Sequence, residues 1–416
     1  MTALLWPGDD RAGGLMSDDA VLTAMVATET AWLAALAATG VAPADAACDL
    51  GELVGPDDLA QVAGGSEAGG NPVIPLVALL RERAGPQAPA GRWLHRGLTS
   101  QDVLDTALVL CAREVVDRLQ AESATQVTAL AELADRHRHT VMAGRTLTQH
   151  AVPISFGVKA ASWLHGVLDA AEELTGLALP VQFGGAAGTL AAAAHAASLT
   201  GAVAPAKTAL DLVVRAAAAL GLAAAPPWHT SRATITRLGD ALVRCTDAYG
   251  RIANDVLTLS RPEIAELSEP ATAGRGGSSS MPQKVNPVLS VLVRRAALAG
   301  PALAAQLHLA AAAAVDERPD GAWHVEWPAL QLLARRTVVA AAQTTELLTG
   351  LTVHPDRMRG TAVAAAGDLL AERRSLAAPG SDAVAGPDDP GSYLGAAEEF
   401  VDAVLDRAAR YRSTGS

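Results

Sequence analysis

The sequence predicts an all-α protein, and three features of it support that prediction. Residues 100–143 contain neither glycine nor proline, so one helix of roughly 66 Å can run through them at about 1.5 Å per residue. The hydrophobic half of the composition is mostly Ala, Leu and Val, with only 3% aromatic residues, and small aliphatic side chains suit closely packed helices. No run of alternating apolar and polar residues has the spacing of a sheet.

The helix predicted over residues 100–143 begins with a capping pattern, because Thr99 is followed three residues later by Asp102. Its apolar residues recur mostly at steps of three and four, which places them in one stripe. The stripe consists of Val103, Ala107, Leu108, Cys111, Val115 and Leu119. A helix of this length usually belongs to an extended bundle.

Further helices follow, and together they predict three helical domains around a central bundle of long helices. The predicted helices cover residues 155–177, 186–220 with an interruption near Pro205, 230–260, 288–315 and 323–351. The predicted domains are an N-terminal helical domain at 1–95, a central bundle at 96–352 and a shortened C-terminal helical domain at 353–416. Within the last domain, residues 378–391 are rich in Pro, Gly and Asp, which is typical of a loop.

Charge and cysteine usage exclude several classes of protein. The formal net charge of −12 argues against a nucleic-acid partner, because no broad basic face can displace counterions from a phosphate backbone. The three cysteines lack the spacing of a metal site, and reduced thiols fit a cytoplasmic protein. The acidic N-terminus does not resemble a signal peptide, and no apolar run is long enough to predict a membrane helix.

Residues 271–287 form the segment with the most groups able to bind or react with a ligand. Their three glycines, three serines and two prolines predict a long loop between long helices, and such loops are often functional. Hydroxyl groups and backbone N–H groups can surround an anion, Lys284 adds positive charge, and Asn286 can donate and accept. A polar linker is the alternative that composition alone leaves open.

At this point the sequence resembles the fumarase/aspartase superfamily. The hallmark G-S-S-x-M-P-x-K-x-N is matched without gaps by GSSSMPQKVN at residues 277–286. Two further segments of the superfamily occur in the expected order, HRGLTSQD at 95–102 and GRTLTQH at 144–150. The resemblance covers roughly residues 10–365 and resumes weakly near residue 390.

The resemblance implies three helical domains and a homotetramer whose middle domains form a long helical core. Each active site would be shared, with the three segments contributed by three different subunits. The implied substrate is a small polycarboxylate, and no cofactor or metal ion is expected. Assembly would also bury the long apolar stripes of the helices.

The implied chemistry is reversible addition and elimination next to a carboxylate. Ser278 matches the base that removes the proton, and a serine needs a nearby cation and N–H donors to hold its alkoxide. Lys284 and the glycine-rich loop can supply both. The candidate catalytic residues are Ser278, His150 and Lys284. The candidate substrate-binding residues are His95, Thr99, Ser100, Arg145, Thr146, Gln149, Ser279 and Asn286.

Two departures from the superfamily pattern point to its cycloisomerase branch. Leu147 stands where fumarase and adenylosuccinate lyase have a His that assists the leaving group, and Val291 replaces the Glu that partners it. The implied reaction interconverts 3-carboxy-cis,cis-muconate and 4-carboxymuconolactone, in the protocatechuate branch of the β-ketoadipate pathway. A carboxylate leaving group needs little proton assistance, which makes the His dispensable.

Two other functions remain open from the sequence. One is an adenylosuccinate-lyase-like enzyme that releases fumarate, and the other is a non-catalytic assembly or binding protein, which the shortened C-terminal domain would allow. Some residue roles also remain open. Arg145, Arg232 and Arg275 would either clamp a polycarboxylate or form ion pairs, and a histidine outside the matched segments is more often structural than catalytic.

Overall fold

The computed structural model describes residues 4–272, 274–281, 283–376 and 388–414, and it has the predicted all-α architecture. The helices are α1 (Asp18–Ala38), α2 (Asp58–Gly69), α3 (Val73–Arg83), α4 (Pro89–Trp93), α5 (Ser100–Arg136), α6 (Phe156–Thr175), α7 (Ala191–Leu199), α8 (Pro205–Leu220), α9 (Ala233–Leu259), α10 (Val288–Ala312), α11 (Gly321–Thr349), α12 (Pro355–Ala364), α13 (Ala366–Leu369), α14 (Ala371–Leu376) and α15 (Ala397–Thr414). The strands are β1 (Val141–Thr146), β2 (Gln149–Ser155), β3 (Leu267–Ser268) and β4 (Thr352–Val353), and they form two antiparallel pairs, β1 with β2 and β3 with β4.

Helix α5 begins where the sequence predicts but ends earlier. The N–H of Thr99 donates to Asp102 Oδ2 at 3.0 Å, which confirms the capping pattern. All six residues of the predicted stripe are buried. The extension to residue 143 is wrong, because residues 141–146 form β1 and pair with β2. A stretch without Gly or Pro permits a helix but does not require one, and strand pairing decides the outcome here.

The chain divides into two compact units, which are described separately. The first comprises Met1–Asp117, Gly176–Asp240 and Ala302–Arg336, and its core includes Trp32 and Phe183, whose ring centroids lie 5.1 Å apart. The second comprises Arg118–Thr175, Ala241–Pro301 and Thr337–Ser416. The predicted division into three domains stays a prediction. Residues 378–387 of the predicted loop lie outside the described residues.

Two helices meet the length and composition criteria for crossing a membrane, although the sequence predicts none. In α1, 56% of the apolar window is buried inside the protein, and in α10 the figure is 39%. A core helix of a water-soluble protein passes the same test, so the two helices are weak grounds for a membrane protein. The exposed side of α10 carries Val291 and Leu298, which are 51% and 72% exposed.

All three cysteines are free thiols. Cys111 and Cys245 are buried, and burial raises the pKa of each thiol to about 12. Such thiols remain protonated near neutral pH and behave as small apolar side chains. Cys48 is exposed, and its pKa is also raised, first by partial burial and then by Asp49 and Glu52.

A buried ionic cluster fixes the first turns of α5 in the first unit. Arg232 donates to Asp105 Oδ2 and to Glu326 Oε2, each at 2.6 Å, and all three side chains are at most 3% exposed. Burial alone would lower the pKa of Arg232, but the two carboxylates outweigh it and raise that pKa. Trp323 Nε1 donates to Asp105 Oδ1 at 2.8 Å. Arg232 is therefore an ion-pair residue, the second of the two roles left open by the sequence.

Replacing Arg232 by Met should strongly destabilise the protein, because Asp105 and Glu326 would remain buried without their cation. Removing one partner of a buried pair costs about 3–5 kcal/mol. Arg215→Met is the matched control, since Arg215 pairs with Asp211 on the surface and such pairs contribute about 1 kcal/mol or less. Urea unfolding at a fixed protein concentration measures both effects. Equal shifts of the two midpoints would contradict the assigned role.

Candidate active site

The first candidate segment, residues 95–102, lies in the first unit immediately before and within the start of α5. The Asp102 carboxylate is fully buried and accepts hydrogen bonds from the N–H groups of Gly184 and Gly185, each at 2.9 Å. His229 Nε2 lies 3.1 Å from Asp102 Oδ1. These contacts anchor the turn that carries Thr99, which is buried, and Ser100, which is half-buried.

A close approach of backbone to side chain explains one glycine in this anchor. A Cβ on Gly184 would lie 2.5 Å from a His229 ring carbon and 2.8 Å from Pro227 Cβ, so only glycine fits. His229 is 4% exposed and held by Asp102. His229 therefore has a structural role, the role expected of most histidines: through Asp102 it helps to fix the segment at residues 95–102.

His95 has an unusual conformation and an unusual partner. Its φ of 60° lies in the left-handed region, which residues other than glycine seldom adopt and which costs roughly 1–3 kcal/mol. Its Nδ1 lies 2.5 Å from Oε1 of Glu29, and the Glu29 side chain is fully buried. Trp32 Nε1 donates to the carbonyl of Arg96 at 2.8 Å and holds the adjacent peptide.

The second candidate segment, residues 144–150, forms the tip of the β1–β2 hairpin in the second unit. Leu147 and Thr148 make the turn with φ values of 49° and 72°. Two-residue turns of this kind favour Asn-Gly, so Leu-Thr carries backbone strain. Leu147 is 95% exposed, and Thr146, Gln149 and His150 are exposed as well.

Arg145 is half-buried, whereas residues 146–150 of the hairpin are exposed. Both of its terminal nitrogens donate to Glu266, at 3.1 and 3.0 Å, and Glu266 is fully buried. This two-point contact fixes the guanidinium plane. The structure therefore gives Arg145 an ion-pair partner, while its proposed contact with a substrate stays a prediction.

The third candidate segment is the loop at residues 277–286, also in the second unit. The N–H and the side-chain Nδ2 of Asn286 both donate to the carbonyl of Gly276, at 2.8 and 2.9 Å. Gly277 and Val285 form an antiparallel bridge. The loop is thus closed at its base, and Asn286 is one of the residues that close it.

Ser278 lies inside this closed loop with two backbone donors at its hydroxyl oxygen. The N–H groups of Met281 and Ser280 approach Ser278 Oγ at 3.2 and 3.4 Å. Donors in this position stabilise negative charge on the oxygen, which is what an alkoxide base needs. Ser279 and Lys284 are exposed on the same loop, so they are accessible to a substrate.

Both ends of the loop region are anchored in the second unit. The Glu269 carboxylate accepts from the N–H groups of Ser290 and Leu289, at 2.7 and 3.0 Å, and so caps the start of α10. Arg275 pairs with Glu346 on α11 at 2.6 Å. Anchored ends with an exposed centre leave the middle of the loop free to contact a substrate.

The supporting acids Glu29, Glu266 and Glu269 were not found from the sequence. Glu29 and Glu266 lie 66 and 121 residues from the side chains that they hold, and no short pattern links such positions. Among the residues that the structure describes, no hydrogen bond joins segment 144–150 to segment 277–286. In the same residues, no group of three or more His, Cys, Asp and Glu side chains is arranged to hold a metal ion.

This chain is similar in sequence and in fold to known proteins. The family described as Lyase matches residues 62–299. A nitrosuccinate lyase from Streptomyces davaonensis is 45% identical over 365 residues, which are 86% of this chain and 76% of that protein. A 3-carboxy-cis,cis-muconate cycloisomerase from Bradyrhizobium diazoefficiens is 39% identical over 370 residues, covering 86% and 78%. The crystal structure of 3-carboxy-cis,cis-muconate lactonizing enzyme from Pseudomonas putida superposes with a TM-score of 0.83 at 28% identity, covering 96% and 97%.

Gly276→Ala should open the loop, because the new Cβ would lie 2.5 Å from the carbonyl oxygen of Asn286. Gly274→Ala is the matched control: Gly274 also has positive φ, 80° against 75°, but a Cβ there meets nothing within 4 Å. Both variants carry the cost of a left-handed alanine, roughly 1 kcal/mol. Hydrogen exchange of residues 276–286 should accelerate only in Gly276→Ala, and equal exchange in the two variants would refute the closure.

Proposed function

Because this chain belongs to the Lyase family of the fumarase/aspartase superfamily, we propose that it catalyses elimination next to a carboxylate and expels a weakly basic anion. The observation behind this choice is the pair Leu147 and Val291. Both are apolar, and they stand where the superfamily pattern has the His and Glu that assist departure of a basic leaving group. A leaving group that departs without an acid must be stable as an anion.

Nitrosuccinate is the first candidate substrate, and the 45% identical nitrosuccinate lyase supports it. In this reaction the base removes a proton from the CH₂ carbon next to a carboxylate. The electron pair of that C–H bond forms the new double bond, the C–N bond breaks, and nitrite leaves with its electrons. The products are fumarate and nitrite, and nitrite is a weak base that needs no proton from the enzyme.

The cycloisomerase reaction is the second candidate, favoured by the 39% identical relative and the 0.83 TM-score of the lactonizing enzyme. Here the leaving group is a carboxylate of the substrate itself, which opens 4-carboxymuconolactone to 3-carboxy-cis,cis-muconate. Carboxylates are also weak bases, with a usual pKa near 4. The two reactions therefore make the same demand on the site, and the substrate assay decides between them.

Ser278 is the proposed base in either reaction. Its two backbone donors support an alkoxide, and Lys284 on the same loop adds a positive charge. Proton removal places negative charge on the neighbouring substrate carboxylate, so hydrogen-bond donors are needed beside that carboxylate to stabilise it. Thr99, Ser100 and Asn286 are the proposed donors. His150 and Lys284 are the other proposed catalytic side chains.

We also propose a cytoplasmic homotetramer with shared active sites. Val291 and Leu298 leave an exposed apolar strip on α10 that a subunit contact would cover. The exposed hairpin tip with Leu147 would likewise be covered by a site shared between subunits.

Ser278→Ala should lower kcat about 10²–10⁴-fold with nitrosuccinate, because the proton would lose its acceptor. KM should change little, since the hydroxyl acts mainly in the transition state. Ser280→Ala is the matched control, because it keeps the N–H that donates to Ser278 Oγ and removes only an exposed hydroxyl. Release of nitrite measures both variants, and similar activity in the two would exclude Ser278 as the base.

The leaving group should determine which substrates turn over. Purified protein is expected to convert nitrosuccinate or 4-carboxymuconolactone and to leave malate and adenylosuccinate unchanged, because hydroxide and amine leaving groups require an acid. Fumarate formation and ultraviolet absorbance report the reactions. Efficient release of fumarate from adenylosuccinate would favour the adenylosuccinate-type alternative. If the protein converts none of these substrates even at high enzyme concentration, the non-catalytic binding protein is favoured.

A further inference from the structure

Glu29 on α1 is a buried acid without an explained role. Its side chain is fully buried, Oε1 lies 2.5 Å from His95 Nδ1, and Oε2 has no hydrogen-bond partner among the described residues. A buried carboxylate with one unpartnered oxygen is costly unless a cation lies beside it. Among the described residues, the hydrogen-bond partner of Glu29 Oε1 is the imidazole of His95.

Two arginines in or near the candidate segments already pair with glutamates. Arg145 uses both terminal nitrogens on Glu266, and Arg275 pairs with Glu346. His95 differs from them, because Glu29 occupies one ring nitrogen and leaves Nε2 at the opposite edge of the ring. The imidazole is about 20% exposed, so it is reachable from solvent while its partner is not.

We propose that Glu29 is a positioning residue that holds His95 protonated, so that the His95 Nε2–H binds a carboxylate of the substrate. This inference rests on the proposed function, and it adds the residue that sets the charge and orientation of the first segment. The left-handed backbone at His95 agrees with it, since strain of this kind persists where surrounding contacts fix a functional side chain.

The charged groups around His95 define its pH dependence. They are Glu29 on α1, Asp102 on α5 and Arg81 on α3. Burial and Arg81 lower the pKa of His95, but the hydrogen bond and charge of Glu29, with help from Asp102, outweigh them and raise it above its usual value. The protonated form therefore survives to higher pH, and KM should rise only as the pH passes the raised pKa.

Glu29→Gln tests the proposal, because it keeps the size and the acceptor oxygen but removes the charge. KM for the substrate should increase about tenfold or more at a pH just below that at which the KM of the unmodified protein begins to rise, as expected for loss of a charge-assisted hydrogen bond, with kcat nearly unchanged. The rise of KM with pH should also begin at lower pH than in the unmodified protein. In Glu29→Asp, KM should return part of the way to the value of the unmodified protein, because the negative charge is present again but lies farther from His95.

Nuclear magnetic resonance of ¹⁵N-histidine in the intact protein provides a readout without substrate. The His95 signal is identified by its loss in His95→Asn, and in Glu29→Gln it should titrate at lower pH. Asp58→Asn is the matched control: it removes another buried carboxylate of the first unit, one that pairs with Arg83, and should leave the His95 titration unchanged.

The two readouts separate the possible failures. If the unmodified protein converts no candidate substrate while the His95 titration shifts as expected, the proposed function fails and the Glu29–His95 pair stands. If Glu29→Gln leaves both the titration and the pH dependence of KM as in the unmodified protein, the inference is overturned. A shift of equal size in Asp58→Asn would also overturn it, because the effect would then be nonspecific.

Discussion

The first unit depends on two carboxylates buried in the first turns of α5. Asp102 accepts hydrogen bonds from the N–H groups of residues 184–185 and contacts the ring of His229. Asp105 forms an ion pair with Arg232. Carboxylates buried to this degree are tolerated only when donors surround them. They therefore bring three other stretches of the chain, 184–185, 229–232 and 323–326, to the start of one helix. The turn that carries Thr99 and Ser100 gains its fixed position from this arrangement.

In the second unit, the candidate side chains are exposed and the backbone fixes their position. At the hairpin tip the backbone is a left-handed turn at Leu147 and Thr148. In the loop the backbone is closed by the hydrogen bond between Asn286 and Gly276. Within the closed loop, backbone N–H groups converge on Ser278, where a base would need them. The charge of Arg145 is already balanced by the buried carboxylate of Glu266, whereas Lys284 remains exposed on the loop.

The sequence predicted most of the long helices well, and it failed where tertiary contacts decide the structure. Periodicity and Gly/Pro punctuation were sufficient for α5, α9, α10 and α11, whose starts lie within three residues of those predicted. They could not predict the β1–β2 hairpin, because its strands are stabilised by each other and not by local propensity. Nor could they show that Arg232 is an internal ion-pair residue or that Glu29 holds His95, since these partners are distant in sequence and meet only in the fold.

The central claim is that one serine on one fixed loop removes the proton next to the carboxylate while a weakly basic anion leaves. Nitrosuccinate carrying a single deuterium at either of the two positions of its CH₂ carbon tests this most directly. Mass spectrometry of the fumarate should show complete loss of deuterium from one of these substrates and complete retention from the other, because a single base held on one side of the substrate removes only one of the two hydrogens. Partial loss from both substrates would contradict the account.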